Sequence, residues 1–243
     1  MSISQKSIKN KIKADIPFIY TGKDELFCME KMQNYNKSII NHIKQHMGAT
    51  AENILDFGAG IGTLASYFPK DKITCLEIDS EQSDILKQRG FQTISSLKEI
   101  KKNSLSFLYS SNVLEHIEDD HDTVKQIYEK IKSNGRVVFY VPAFPILYSE
   151  MDKKVGHFRR YTNKTLTSVF ASAGFSVDKV MYSDSLGFFA SLLFKLISSK
   201  DGTASPKQLL FYDRFIFPIS SFFDKLFASH FFGKNIVIYV TKL

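Results

Sequence analysis

The run Asp56-Phe57-Gly58-Ala59-Gly60-Ile61-Gly62 limits what this chain can fold into more than any other feature. Three glycines at alternate positions follow a short apolar run, Ile54 to Phe57, and precede a segment with helical patterning. In that context glycines let the backbone turn tightly and approach a bound nucleotide, at the strand ends where open α/β sheets hold ligands. A dinucleotide-binding loop would carry its third glycine at position 63, which is Thr63. Here it is Gly62, so the spacing points away from NAD.

The rest of the chain extends this pattern. Apolar runs at 73–78, 105–109 and 137–141 alternate with helical patterns around 63–68, 81–88 and 122–131, the order of a doubly wound, mostly parallel sheet. Asn134-Gly135 and Gly174 supply residues able to close helices at positive φ. Two more strands, 177–181 and 235–241, complete the sheet, the last expected antiparallel. Four segments follow: an N-terminal basic arm and opening helix (1–50), a core (51–181), a helical insertion or cap (182–234) and the last strand (235–243). Tyr35, Ile39, Ile40 and Ile43 recur at helical spacing in the opening helix, read as 26–47.

Composition excludes several alternatives. With 44% hydrophobic residues, the chain can bury a core without disulfides. Cys28 and Cys75 belong to no cluster with metal-ligand spacing, so no structural zinc is expected. The start of the chain lacks the apolar segment of a signal peptide, and Lys195, Asp213, Arg214 and Asp224 interrupt the apolar C-terminal region. A cytoplasmic protein is expected, with peripheral membrane contact as an option. The net charge of +7 suits an anionic surface but carries little weight alone.

The glycine loop resembles the first motif of the class I S-adenosylmethionine-dependent methyltransferases, an acidic residue followed by glycines at this spacing. The segment Asn112-Val113-Leu114-Glu115-His116 resembles a second family motif beside the cofactor. The resemblance runs from about Ile54 to Gly174 and implies a Rossmann-like α/β fold with S-adenosyl-L-methionine as cofactor. It assigns Asp56, Gly58, Ala59, Gly60 and Gly62 to the methionine end. Glu77, 19 residues beyond Gly58, is the expected ribose acid, with Ile78 beside it and Asp79 as the alternative. Ser96 and Leu97 are expected near adenine, and Asn112, Val113 and Leu114 along the cofactor. Family members often carry aspartate where Ser106 stands. Glu115 and His116, adjacent on a helix, are expected to diverge, with His116 packing or capping.

On the acceptor side, Asp152 and Gly156-His157-Phe158-Arg159-Arg160-Tyr161 resemble a stretch of a bacterial methyltransferase subgroup. Methyl transfer from a sulfonium demands alignment and exclusion of water, and no metal. A hydroxyl acceptor must also lose a proton, a task suited to His157 as catalytic base. Arg159, Arg160 and Tyr161 are candidate substrate-binding residues; the alternative is that this stretch knits a loop to the sheet, Asp152 pairing with an arginine. O-methylation of a small-molecule, sugar or lipid-linked acceptor is favoured over an RNA methyltransferase, because the Asn/Asp-Pro-Pro-aromatic signature is absent. A cofactor-binding scaffold without turnover is the other alternative.

Residues 182–234 hold 11 of the 22 phenylalanines. Phe188, Phe189, Leu192, Leu193, Leu196 and Ile197, and then Phe211, Phe215, Ile219, Phe222, Phe223, Leu226 and Phe227, recur at helical spacing. Two amphipathic helices are predicted, either packed on the sheet or in a homodimer interface, or forming an apolar substrate wall or membrane-contacting cap.

Overall fold

A computed structural model describes residues 23–48, 51–197 and 205–243; the basic arm expected at 1–20 lies outside the described residues. Two helices, α1 (Lys23–Glu30) and α2 (Gln33–Met47), lead into a seven-stranded sheet. The strands are β1 (Ile54–Phe57), β2 (Ile73–Leu76), β3 (Gln92–Ile94), β4 (Leu105–Ser111), β5 (Ile131–Pro142), β6 (Ser176–Ser183) and β7 (Asn235–Thr241). Their order is β3-β2-β1-β4-β5-β7-β6. The pairings from β3 through β5 are parallel, and β7 runs antiparallel to both β5 and β6, as expected of the last strand.

Alternation along the strands divides the core into two layers. Leu55 and Phe57 of β1 face α4 (Asp120–Lys130) and α6 (Asn163–Ser172), packing with Val124, Ile127, Leu166 and Phe170. Ile54 faces the other way, into a cluster with Ile39, Ile40 and Ile43 of α2 and Leu86 of α3 (Ser80–Gln88). The two-residue period of a strand therefore sends Asp56 to the α2 side, where it is buried.

The helix expected at 63–68 is a single 3-10 turn, Ala65–Tyr67. Pro69 disfavours helical backbone in the residue before it, and Phe68 is accordingly extended (φ −122°, ψ 152°). The opening helix breaks in two at Lys31 and Met32. At 134–135 it is Asn134 that takes positive φ, 60°. Gly135 serves close packing instead, since a Cβ there would lie 2.5 Å from Ile131 Cγ2.

The insertion is helical: α7 (Ser185–Ile197), α8 (Pro206–Phe211), a π turn at Tyr212–Ile216 and α9 (Phe217–Leu226). It docks on the opening helices. Asp213 accepts from the backbone N–H groups of Asn34 (3.2 Å) and Tyr35 (2.8 Å), satisfying first-turn donors of α2. Phe217 packs edge-on against Tyr35. One short helix, α5 (Glu150–Lys154), carries Asp152. No helix among the described residues is long and apolar enough to cross a membrane.

Candidate active site

The glycine loop leaves the carboxyl end of β1 and is tied to β2. Gly58 and Ala59 donate to the Leu76 carbonyl at 2.9 and 3.0 Å, and Gly60 donates to Glu77 Oε2 at 2.8 Å. Gly58 is left-handed (φ 76°) and has no room for a side chain, because a Cβ would come within 2.4 Å of Val113. Gly60 is left-handed too (φ 56°) and opens onto a pocket of about 280 Å³.

That pocket lies across the carboxyl ends of β1, β2 and β4, where a doubly wound sheet holds its ligand. Asp56, Gly58, Ala59, Gly60, Glu77, Ile78, Asn112 and Val113 all line it, so most of the residues expected around the cofactor converge on one cavity. Asn112 is left-handed (φ 53°), its N–H fixed by the Tyr140 carbonyl at 2.8 Å. Its side-chain amide donates to the Tyr35 hydroxyl at 3.3 Å, which links the pocket to α2.

Other expected members stand elsewhere. Ser96 caps a 3-10 turn by accepting from the Lys98 N–H, and Leu97 is buried in the core, so neither reaches the cavity. Leu114 is fully buried for the same apolar reason. Gly62 lies behind the loop, where a Cβ would meet Leu86 and Phe91, and so makes room for packing. Met29 of α1 and Asn36 and Ile39 of α2, which sequence reasoning missed, form part of the wall. Helical spacing marked Ile39 as inward-facing but not what it faces. Among the described residues of the insertion none lines the cavity.

Burial sets the charges. It pushes the Asp56 carboxyl up to about 7, against a hydrogen bond from Tyr109 (2.9 Å) and with help from the Glu77 charge. Burial raises Glu77 as well, opposed by backbone N–H groups that include Asp79 (2.9 Å) and Gly60. Asp79, the alternative ribose acid, is the N-cap of α3 and accepts from Glu81 (3.0 Å) and Gln82 (3.1 Å). Its carboxylate is thereby occupied, whereas Glu77 stands on the pocket wall.

The loop from Pro145 to Tyr161 packs over the Leu114–His116 turn. Phe158 N–H donates to the Glu115 carbonyl at 2.8 Å, and the Tyr161 hydroxyl donates to Asp120 at 2.8 Å. Arg160 grips Asp152 with two nitrogens, at 2.8 and 3.1 Å, and Arg159 pairs with Asp120 at 2.7 Å. The two arginines and the buried Tyr161 thus knit the loop to the sheet, the alternative given for this stretch, and do not line the pocket.

His157 also stands off the pocket wall, one residue removed from it. Its Nδ1 meets Asp152 Oδ1 at 2.7 Å, and its ring lies edge-on to His116 at 4.5 Å, which does line the cavity. Burial works against the charge on Asp152, but hydrogen bonds from His157 and Arg160 outweigh it and hold the carboxyl well below the usual range. Burial, and then His157, pull His116 down to about 4, so that its imidazole is neutral at pH 7. Burial pushes Glu115 up to about 8. Glu115 and His116 do not diverge as expected, because the turn that carries them is a single 3-10 turn and His157 arrives from a separate loop. The ligand atoms of the three residues lie within 4.8 Å of one another.

Comparison with known proteins agrees with this architecture. The chain is similar to an S-adenosylmethionine-dependent methyltransferase from Thermotoga maritima (TM-score 0.61, 16% identity, 88% of this chain and 91% of that one). It is also similar to one from Archaeoglobus fulgidus (TM-score 0.57, 19% identity, 85% and 94%). A third is the geranyl diphosphate C-methyltransferase of Streptomyces coelicolor A3(2) (TM-score 0.60, 10% identity, 85% and 80%). At these identities the likeness speaks to fold. No curated protein matches the chain. The family model of a methyltransferase domain matches residues 29–180, well over half of the chain, from α1 through the glycine loop to β6. The chain belongs to this methyltransferase-domain family and is a class I S-adenosylmethionine-dependent methyltransferase.

Proposed function

We propose that the enzyme methylates a hydroxyl group on a small-molecule or lipid-linked acceptor, and that His157 prepares that hydroxyl for attack. The observation that carries this reading is the Asp152–His157–His116 arrangement: a carboxylate-oriented imidazole set edge-on against a second imidazole on the pocket wall. Bound S-adenosylmethionine supplies the electrophilic methyl carbon. Glu77 holds its ribose, and Asp56 and the glycine loop its methionine end, whose ammonium favours the charged form of the Asp56 carboxyl. Met29 and Ile39 bring apolar side chains to the wall from the α1 and α2 side and help to exclude water. The acceptor enters from the His116 side.

The lipid-linked form of the acceptor is supported by the insertion. Phe189 and Leu193 of α7, Phe211 of α8, Phe215 of the π turn and Phe222 and Leu226 of α9 are each at least half exposed. Single exposed apolar residues are ordinary; a succession of them on neighbouring helices is the mark of an interaction surface. Lys207, Arg214 and Lys225 are exposed on the same elements, with Arg214 over the Phe215 ring. Rings flanked by cations suit an anionic bilayer. In liposome flotation the protein is expected to float with anionic vesicles, less so with neutral ones, and to be released as salt shortens the screening length. Phe215→Glu combined with Phe222→Glu should abolish flotation. A tight dimer in sedimentation that ignores both vesicle types would overturn the membrane reading.

A further inference from the structure

Glu115 is fully buried, yet neither of its carboxylate oxygens has a hydrogen-bond partner among the described residues. Interiors seldom leave such a group unmet, and one that is unmet commonly marks the place of an ion or water. Two imidazoles stand around it. His157 Nε2 lies 3.7 Å from Glu115 Oε1, and the ligand atoms of Glu115, His116 and His157 all fall within 4.8 Å of one another.

We propose that Glu115, His116 and His157 bind a divalent transition-metal ion. Two imidazole nitrogens and one carboxylate oxygen suit zinc or iron(II), and three protein ligands leave a coordination position open. The separation of 3.7 Å is too long for a hydrogen bond but close to the ~3.4 Å that two bonds of about 2.1 Å span at a tetrahedral angle. His157 is prepared as a ligand. With Nδ1 donating to Asp152, the lone pair is left on Nε2, the nitrogen that faces Glu115. Arg160 fixes Asp152 in turn, so the carboxylate, imidazole and ion would form the relay that commonly orients metal-bound histidines. The His116 ring is likewise held by the backbone at Val155 and Gly156. Because His116 also lines the cofactor cavity, the open position borders the place where an acceptor would sit. On the reading that the acceptor is a hydroxyl, the part assigned to His157 would then be to hold an ion that binds the oxygen and acidifies it, so that its proton passes to solvent water before the oxygen takes the methyl group. Binding of the ion itself does not depend on that reading.

The test uses the full chain, stripped of metal by chelation and titrated calorimetrically with Zn2+, with metal content measured after gel filtration. One retained equivalent is expected, and Glu115→Gln and His157→Gln should each weaken the affinity at least tenfold. Glu129→Gln, a surface carboxylate on α4, should leave it unchanged. Co2+ provides a second readout, because its visible d–d bands should appear in the native protein and vanish in both ligand variants. If the buried Glu115→Gln variant fails to fold, the partly exposed His157→Gln variant decides. Failure of the native protein to retain the ion, or equal retention by folded ligand variants, would overturn the proposal. S-adenosylmethionine titrated into the same samples keeps the two claims apart: lost zinc with retained cofactor affinity leaves the cofactor site intact. A bound ion with the methyl group found on nitrogen or carbon would leave the metal site standing and overturn the hydroxyl reading.

Discussion

Gly60→Val is expected to lower the affinity for S-adenosylmethionine by roughly a hundredfold or more, about 2.7 kcal/mol. Three consequences of one substitution combine. Gly60 has φ 56°, a conformation that a β-branched residue adopts only as an outlier. Its N–H is the donor that holds Glu77 Oε2 at 2.8 Å, so a shift of the loop also releases the expected ribose acid. The added isopropyl group would stand on the wall of the cavity itself. Because Gly60 faces the pocket and not the core, the variant should keep its circular dichroism spectrum and a cooperative thermal transition. Calorimetric titration then reads the binding loss directly. Affinity near the native value in a folded variant would show that the loop does not contact the cofactor.

His157→Ala is expected to lower turnover by roughly a hundredfold or more while leaving the cofactor affinity within about twofold. The split follows from position. The His157 ring lies behind His116 and off the cavity wall, so its removal takes nothing from the cofactor's surroundings, yet it removes the imidazole that Asp152 orients at 2.7 Å. The assay needs the acceptor, which can be identified by transferring an isotopically labelled methyl group and isolating the labelled product. Unchanged turnover with that acceptor would remove His157 from the reaction. Parallel losses of turnover and cofactor affinity would instead mark it as a structural prop of the loop.

Both variants lie in segments whose importance the sequence displays, and the contrast between them shows what a sequence can carry. The glycine loop was legible because its chemistry is local: strand, turn and glycine spacing follow one another in the chain, and the cavity forms where they predict. The place of Glu77 on the pocket wall was legible for the same reason, as the acid directly after β2. Asp79, two residues on, has the same charge but caps a helix, a distinction made by backbone N–H groups that come into range only once α3 forms. The helix expected after the glycines is a single 3-10 turn that stops short of Pro69, whose effect on Phe68 is readable in the sequence. Long-range partners were the hardest to see. Met29, Asn36 and Ile39 reach the cavity because α1 and α2 fold back over the sheet, and the phenylalanine-rich insertion, in its described residues, supports α2 through Asp213 and Phe217 and lines no part of the cavity. The arginines of the His157 loop resemble anion-binding residues in sequence; in the fold their charges are met by Asp152 and Asp120. Glu115 and His116 were expected to point apart, an inference valid on an α-helix that fails on a single 3-10 turn.

Calorimetric titration of the native protein reads whether the cavity around Gly60 and Glu77 holds S-adenosylmethionine. Saturable binding of S-adenosylmethionine or its demethylated product is expected, with NAD at least tenfold weaker, roughly 1.4 kcal/mol, because the third glycine stands at position 62 and not 63. Equal affinity for both nucleotides, or no binding of either sulfur compound, would contradict it.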